Sequence, residues 1–425
     1  DSFMGLREKL FTLNRFVKIS ELFERFASWN MSLKRTGFAD LRLHGGYAPR
    51  WLFSRMVKLA KEIFVIMVDE FGTDEVLARL SNPLFFQACS NVLGFDWDSS
   101  GATTVTCGVL KDAFASLDLG MQVAGGKGKR SRNTLSEVEK IGEGYGFPMA
   151  LIERLKYSSR MTAKVDGVAI QAGYSIYHHA IFVSEDGKWT VIQQGMNPEF
   201  QTARRYHWLS RNVKSFVVEP HEGIVGQLAH KDVLDMTAME SEEARKVCTD
   251  IAKEGSDRVD RLYSTIRKSD QESLSKWIET DLGREYVTHY KVIPRRMDWK
   301  ALKEAYETQP KDYEELLAIR GIGPATVRGL ALVSELIFGK PPSWRDPVKY
   351  SFAYGGKDGV PFPVDRTAMD ESIAILRAAV EQSKLGSRDK LEAIRRLRKF
   401  APAQPLSKDS AAKVYRSPGK PVRSP

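Results

Sequence analysis

Between Trp51 and Phe71 apolar residues recur at intervals of three and four, the spacing of a helix with one buried face. The same spacing marks shorter helices over Asp74–Leu80 and Pro83–Val92, and an amphipathic helix over Phe3–Trp29. A capping-type start at Ser136-Glu137-Val138-Glu139 opens another. From 151 to 222 the pattern changes. "SSRMTAKVDGVAIQAGYSIYHHAIFVSEDGKWTVIQQGMN" is rich in strand formers and broken by turn residues, which predicts an antiparallel sheet. Asp186-Gly187 reads as a two-residue hairpin loop. Counting back from Glu185 opposite Lys188 sets Ile181 against Ile192, Ala180 against Gln193 and His179 against Gln194. Neighbours on a strand alternate in direction, so His178 and His179 point to opposite faces.

Helical spacing returns over 231–300 and 301–340, and again from Asp365 to Phe400. After Ala401 the chain is Pro, Ser and Lys without apolar periodicity, which predicts disorder. The expected fold is mainly helical α+β, a small antiparallel sheet plus a C-terminal helix-hairpin-helix domain. Five segments follow: an N-terminal helical extension (1–30), a helical domain with Gly-rich loops (31–150), an antiparallel β domain (151–230), a helical domain with the helix-hairpin-helix at 313–339 (231–400), and a basic tail (401–425).

Composition narrows the function. The chain of 425 residues has no run approaching eighteen apolar residues, so no membrane span is expected. Phe3–Trp29 lacks the continuous apolar stretch of a secretory leader. Three scattered cysteines without metal-like spacing fit a reducing, cytoplasmic interior. Net charge is +10, and Lys384–Pro425 alone holds twelve Lys/Arg against three Asp/Glu. A basic tail on a nearly neutral body points to a polyanion partner, with DNA first in line. Oligomeric state is not legible.

"LLAIRGIGPATVRGLAL", 316–332, places Gly321-Ile322-Gly323 between two apolar helical patterns. Pro324 suits the first position of the second helix, where a missing N–H costs nothing. Glycines allow positive φ and close approach, and the free amides at a helix start attract anions. Gly321, Ile322, Gly323, Ala325 and Thr326 are therefore candidate phosphate-binding positions. The alternative is a corner that only packs. "VAGGKGKRSRN" adds Gly126, Lys127 and Lys129 as further phosphate contacts. Tyr47, Trp51 and Tyr354, beside Gly-rich or basic stretches, are candidates for stacking on bases.

The hairpin resembles the helix-hairpin-helix of many DNA repair and replication proteins. In DNA glycosylases of that kind an aspartate in a "P-V-D" context follows the hairpin and stabilises the cation left as the base departs. Asp365 in "GVPFPVDRTAMDE" matches that context. The resemblance thus implies base excision with Asp365 as catalytic residue and no cofactor. The interval from Gly323 to Asp365 is longer than in those enzymes, and Ala325 stands where bifunctional members carry a nucleophilic lysine. A plain helix N-cap is the other role for Asp365.

Five of seven histidines fall between 178 and 230. Asp166, His178 or His179, His207 and Glu219 are candidates to ring a divalent metal that activates water for phosphodiester cleavage, with His179 and His207 as catalytic candidates. The alternative is that the paired histidines are sheet residues bonded to Gln193 or Gln194.

Several strings are distinctive together: "LHGGYAPRWLFSRMVKLAKEI", "VLGFDWDSSGATTVTCGVLK", "AGGKGKRSRNT", "YHHAIFV", "ARRYHWLS" and "YSFAYGGKDGVPFPVDR". They resemble an archaeal and bacterial family known as domain of unknown function 763, over about residues 32–380. That resemblance leaves the chemistry open. The sequence therefore predicts a DNA-binding protein of repair type, with a base-excision glycosylase as the first enzymatic reading. A metal-dependent nuclease and a non-catalytic nucleic-acid-binding module are the alternatives.

Overall fold

The computed structural model describes residues 48–94, 100–226, 229–277, 293–294, 296–348 and 366–400. Tyr47, Tyr354 and Asp365 lie outside the described residues, as do the N-terminal extension and the basic tail.

The long apolar pattern folds as α1, Arg50–Ser81, interrupted at Gly72, whose φ of 75° breaks it into the two helices expected. Next come α2, Pro83–Leu93, capped by the Asn82 side chain, and α3, Gly101–Ala115. The Gly-rich "VAGGK" is not a loop. It is strand β1, Met121–Lys127, followed by a 3-10 turn over Gly128–Asn133. Helix α4, Thr134–Gly144, starts two residues before the expected cap. Glu137 instead accepts the Gly125 N–H and the Lys111 ammonium, both at 2.6 Å. Helix α5, Met149–Lys164, runs into a π-type turn at Val165–Ala169.

The strands are β2 (Ile170–Gln171), β3 (Ser175–Ser184), β4 (Trp189–Asn197), β5 (Thr202–Leu209), β6 (Gly223–Gly226) and β7 (Leu234–Asp235). Five form an antiparallel sheet in the order β1-β3-β4-β5-β6, and β2 pairs with β7 as a separate ribbon. The β3–β4 turn is one residue longer than expected: Ser184 donates its amide to Lys188 across a Glu185-Asp186-Gly187 loop. The register slips accordingly. His178 faces Gln194, His179 faces Gln193 and Ala180 faces Ile192.

The helical remainder comprises α6 (Glu242–Lys253), α7 (Ser256–Trp277), α8 (Trp299–Thr308), α9 (Tyr313–Ala318), α10 (Pro324–Leu336), α11 (Arg366–Gln382) and α12 (Ser387–Phe400). The sheet is covered on both faces, and each face has its own apolar core. Ala180, Phe182 and Ile192 join α1–α3 with α11 and α12 on one side. Ile181, Val183, Val191 and Trp208 join α4–α10 on the other. Burial on both faces explains why these strands read as continuous apolar runs instead of alternating ones.

Candidate functional site

Helices α9 and α10 meet in the turn at 319–323. Leu316 and Leu317 on one side, and Val327, Leu330, Ala331 and Val333 on the other, are all buried, so the pair is anchored by its apolar stripe. Gly321 carries φ +93°, and a Cβ there would sit 2.8 Å from Asp298 Oδ2 and 2.9 Å from Ala301 Cβ. Only glycine fits both demands. Gly323 is different: its φ of −112° and ψ of −177° are extended backbone, with no heavy atom within 3.4 Å of an added Cβ. Positive φ is therefore needed at one glycine of the two.

The amides divide in the same way. Ile322 is buried, and its N–H donates to Ile319 O at 3.3 Å, which removes it from the phosphate-binding set. Thr326 is buried as a whole residue, its hydroxyl accepting from Asp298 N at 3.1 Å, so its amide lies behind the surface of the turn. The main-chain N–H groups of Gly323, Ala325 and Thr326 make no hydrogen bond to described residues, and no side chain caps α10. Gly321 and Ala325 are exposed. The Asp298 carboxylate beside Gly321 opposes an anion on that side, so the receptive part of the turn is Gly323–Ala325.

Cations flank it. Lys164 donates to Ile319 O at 2.9 Å, and burial holds its ammonium below the usual lysine range. Arg160, one turn earlier on α5, and Arg320 are exposed. Gln171 braces the start of α10 by donating to Pro324 O at 2.8 Å and accepting from Arg328 Nε at 2.9 Å. Gly126, Lys127 and Lys129 belong to the edge strand β1 and the turn after it, not to this corner. Trp51 is 65% exposed at the start of α1.

The expected metal ring does not form. Asp166 lies on the sheet face shared by Gln193 and Trp208, whereas His178 and His207 lie on the opposite face with Gln194 and Arg205. Glu219 is exposed, in the left-handed region at φ +41°. Among the described residues no group of three or more His, Cys, Asp or Glu side chains could hold a metal ion. The two histidines fare differently. His178 has neither ring nitrogen hydrogen-bonded, and burial pushes it down to about 3. His207 accepts from Arg205 Nε at 2.9 Å and is held far down by burial.

A buried polar chain occupies the other face. Ser159 lies 2.9 Å from His179 Nε2, and His179 Nδ1 lies 2.8 Å from Gln193 Oε1. Gln193 donates to Asp166 and to Thr162 O, and Trp208 Nε1 donates to Asp166 at 3.0 Å. Here His179 is a satisfied sheet residue, held below its ordinary range by burial. The other Asp166 oxygen meets His221 Nε2 at 2.5 Å. His221 is the functional candidate that sequence reasoning passed over. It sits in the irregular segment "EPHE", where no periodicity assigns a side chain to a face.

A family described as "Protein of unknown function (DUF763)" matches residues 37–364, well over half of the chain. The chain belongs to the DUF763 family. No curated protein and no solved structure matches it. Within this DUF763 member, among the described residues, no helix is long and apolar enough to cross a membrane.

Proposed function

We propose that this protein binds DNA in a repair-type role, gripping the sugar-phosphate strand at the first turn of α10. One observation carries the reading: two N–H donors with solvent access, at Gly323 and Ala325, are left unpaired at the positive end of a 13-residue helix, with the unpaired Thr326 amide buried behind them. A phosphate oxygen satisfies such donors, and Arg160 and Arg320 add charge without reading sequence. In the catalytic form of this reading Asp365 stabilises developing positive charge on the sugar. The metal-dependent nuclease loses its support, because the sheet separates its candidate ligands.

Gly323→Asp tests the grip. The extended backbone at Gly323 suits an N-cap, so the new carboxylate accepts the Ala325 and Thr326 amides itself. The variant should gain a few tenths of a kcal/mol in stability, the usual difference between Asp and Gly caps. Its affinity for a labelled duplex should fall at least ten-fold. A wild-type chain that binds no duplex or single strand at low salt, or a variant that binds as well as wild type, ends the reading. Duplexes carrying uracil, hypoxanthine or oxidised guanine, incubated with EDTA, test the chemistry: abasic product should appear and vanish in Asp365→Asn.

A further inference from the structure

His221 borders a cavity of about 250 Å³ whose walls include Glu219, Asp235, Glu240, Arg345 and Asp346. The residue is 8% exposed, and its one hydrogen bond among the described residues is Nε2 to Asp166. Asp166, as a carboxylate, offers only acceptors, and its second oxygen already takes donors from Gln193 and Trp208. In the neutral imidazole the proton therefore sits on Nε2, and Nδ1 keeps a lone pair with no donor among the described residues.

The other polar groups of the cavity are largely engaged. Asp235 accepts the Thr237 amide and hydroxyl, at 2.8 and 2.6 Å. Asp346 accepts from Arg204 at 2.6 Å and from the His230 amide at 2.8 Å. Glu240 pairs with Arg345 at 3.6 Å. Glu219 forms no hydrogen bond or ion pair through its carboxylate among the described residues. Its left-handed backbone is held by a hydrogen bond that its N–H donates to Thr237 O at 2.8 Å. The open valences are thus two acceptors, an imidazole nitrogen and a carboxylate, in a cavity that carries more acidic than basic groups.

We propose that this cavity is a binding site for a compact amidine- or guanidine-type group, whose N–H donors meet His221 Nδ1 and the Glu219 carboxylate. Anions are disfavoured by the carboxylates. The volume, just below the roughly 300–1,000 Å³ of ordinary ligand pockets, selects a small group. Two sources carry that chemistry: a free small cation, or the donor edge of a guanine base. The second has a structural route. Asp235 pairs with Ile170 in the β2–β7 ribbon, and the next residue of β2, Gln171, holds Pro324 and Arg328 of the hairpin. The proposal stands without the hairpin reading, because its donors and acceptors belong to different residues.

The test uses the full chain labelled with ¹⁵N-histidine and observed by long-range ¹H–¹⁵N NMR, with His221 assigned from the His221→Gln spectrum. Methylguanidinium is titrated first. Then a thymine single strand with one guanine is compared with an all-thymine strand. A saturable His221 Nδ1 shift is expected, with affinity at least five-fold weaker in the surface variant Glu219→Gln. Response to methylguanidinium alone identifies a free cation, and response to the guanine strand alone identifies a base. No response to either, an equal response to all-thymine, or affinity unchanged in Glu219→Gln overturns the proposal. The methylguanidinium titration is repeated in Gly323→Asp. There the shift should survive even as duplex binding at the hairpin is lost, which separates failure of the cavity from failure of the hairpin.

Discussion

His178 is buried to 1% exposure between Lys127 on β1 and Gln194 on β4, with both ring nitrogens unbonded. Desolvation there, reinforced by the neighbouring His179 and Lys127, favours the neutral ring and sets its pKa at about 3. The consequence is a pH-dependent stability. Above about pH 6.5 the ring is neutral in both the folded and the unfolded chain. As pH falls from there toward 3, the unfolded chain takes a proton that the folded chain refuses. Stability is then lost at about 1.4 kcal/mol per pH unit for this one group. His179 and His207, also held low, add to the slope. In His178→Leu, urea unfolding at pH 7, 5.5 and 4.5 should show the slope reduced by about one proton, with stability at pH 7 equal or higher, because no hydrogen bond is lost. An unchanged slope would mean that His178 already carries its proton in the folded state.

At the scale of elements, β1 depends on one glycine. Gly125 has φ +96°, and a Cβ there would lie 2.2 Å from His179 O and 2.8 Å from Thr134 Oγ1. The first contact is backbone of the partner strand, which cannot swing aside. Gly125→Ala should therefore loosen the β1–β3 pairing and cost roughly 2–4 kcal/mol, combining backbone strain with displaced strand contacts. Hydrogen exchange should quicken at Val123 and Ala124 before it does on β4. The same glycine explains why β1 was not legible: Gly, Gly and Lys are poor strand formers, and pairing with an existing sheet overrides that preference. The two helices and the turn between them were legible because the glycines and proline sit between two strong apolar periods. The amides of the turn were not, since only the folded chain shows Ile322 turned inward and Gly323 left open. The alternation that separates His178 from His179 survived the one-residue slip, because period two holds in any register. The metal ring failed for want of the same argument across strands: the face of His207 depends on the β4–β5 register, which no turn signal gave.

Across the whole molecule, two apolar cores share a single sheet, and that arrangement ties their stabilities together. Cys89 and Cys107 are buried in one core, Cys248 in the other, and all three are free thiols. Burial pushes Cys89 up to about 12 and raises the other two further, so none offers a reactive thiolate in the folded chain. If the cores could come apart separately, each would leave one face of the sheet exposed, with Ala180, Phe182 and Ile192 or Ile181, Val183 and Val191 in water. Burial of the Phe, Ile and Val side chains contributes roughly 1.5–3 kcal/mol each, so a state with one core open carries the exposed sheet face as an added penalty. The three cysteines should accordingly become reactive at one urea midpoint when labelling is mapped residue by residue. Ile192→Ala on one face and Ile181→Ala on the other, each removing roughly 2–5 kcal/mol, should move all three midpoints together. Were Ile192→Ala to expose Cys89 and Cys107 while Cys248 stayed protected, the sheet would be a partition between two independently folding halves. The hairpin and the His221 cavity, both on the Cys248 side, would then answer to the stability of that half alone.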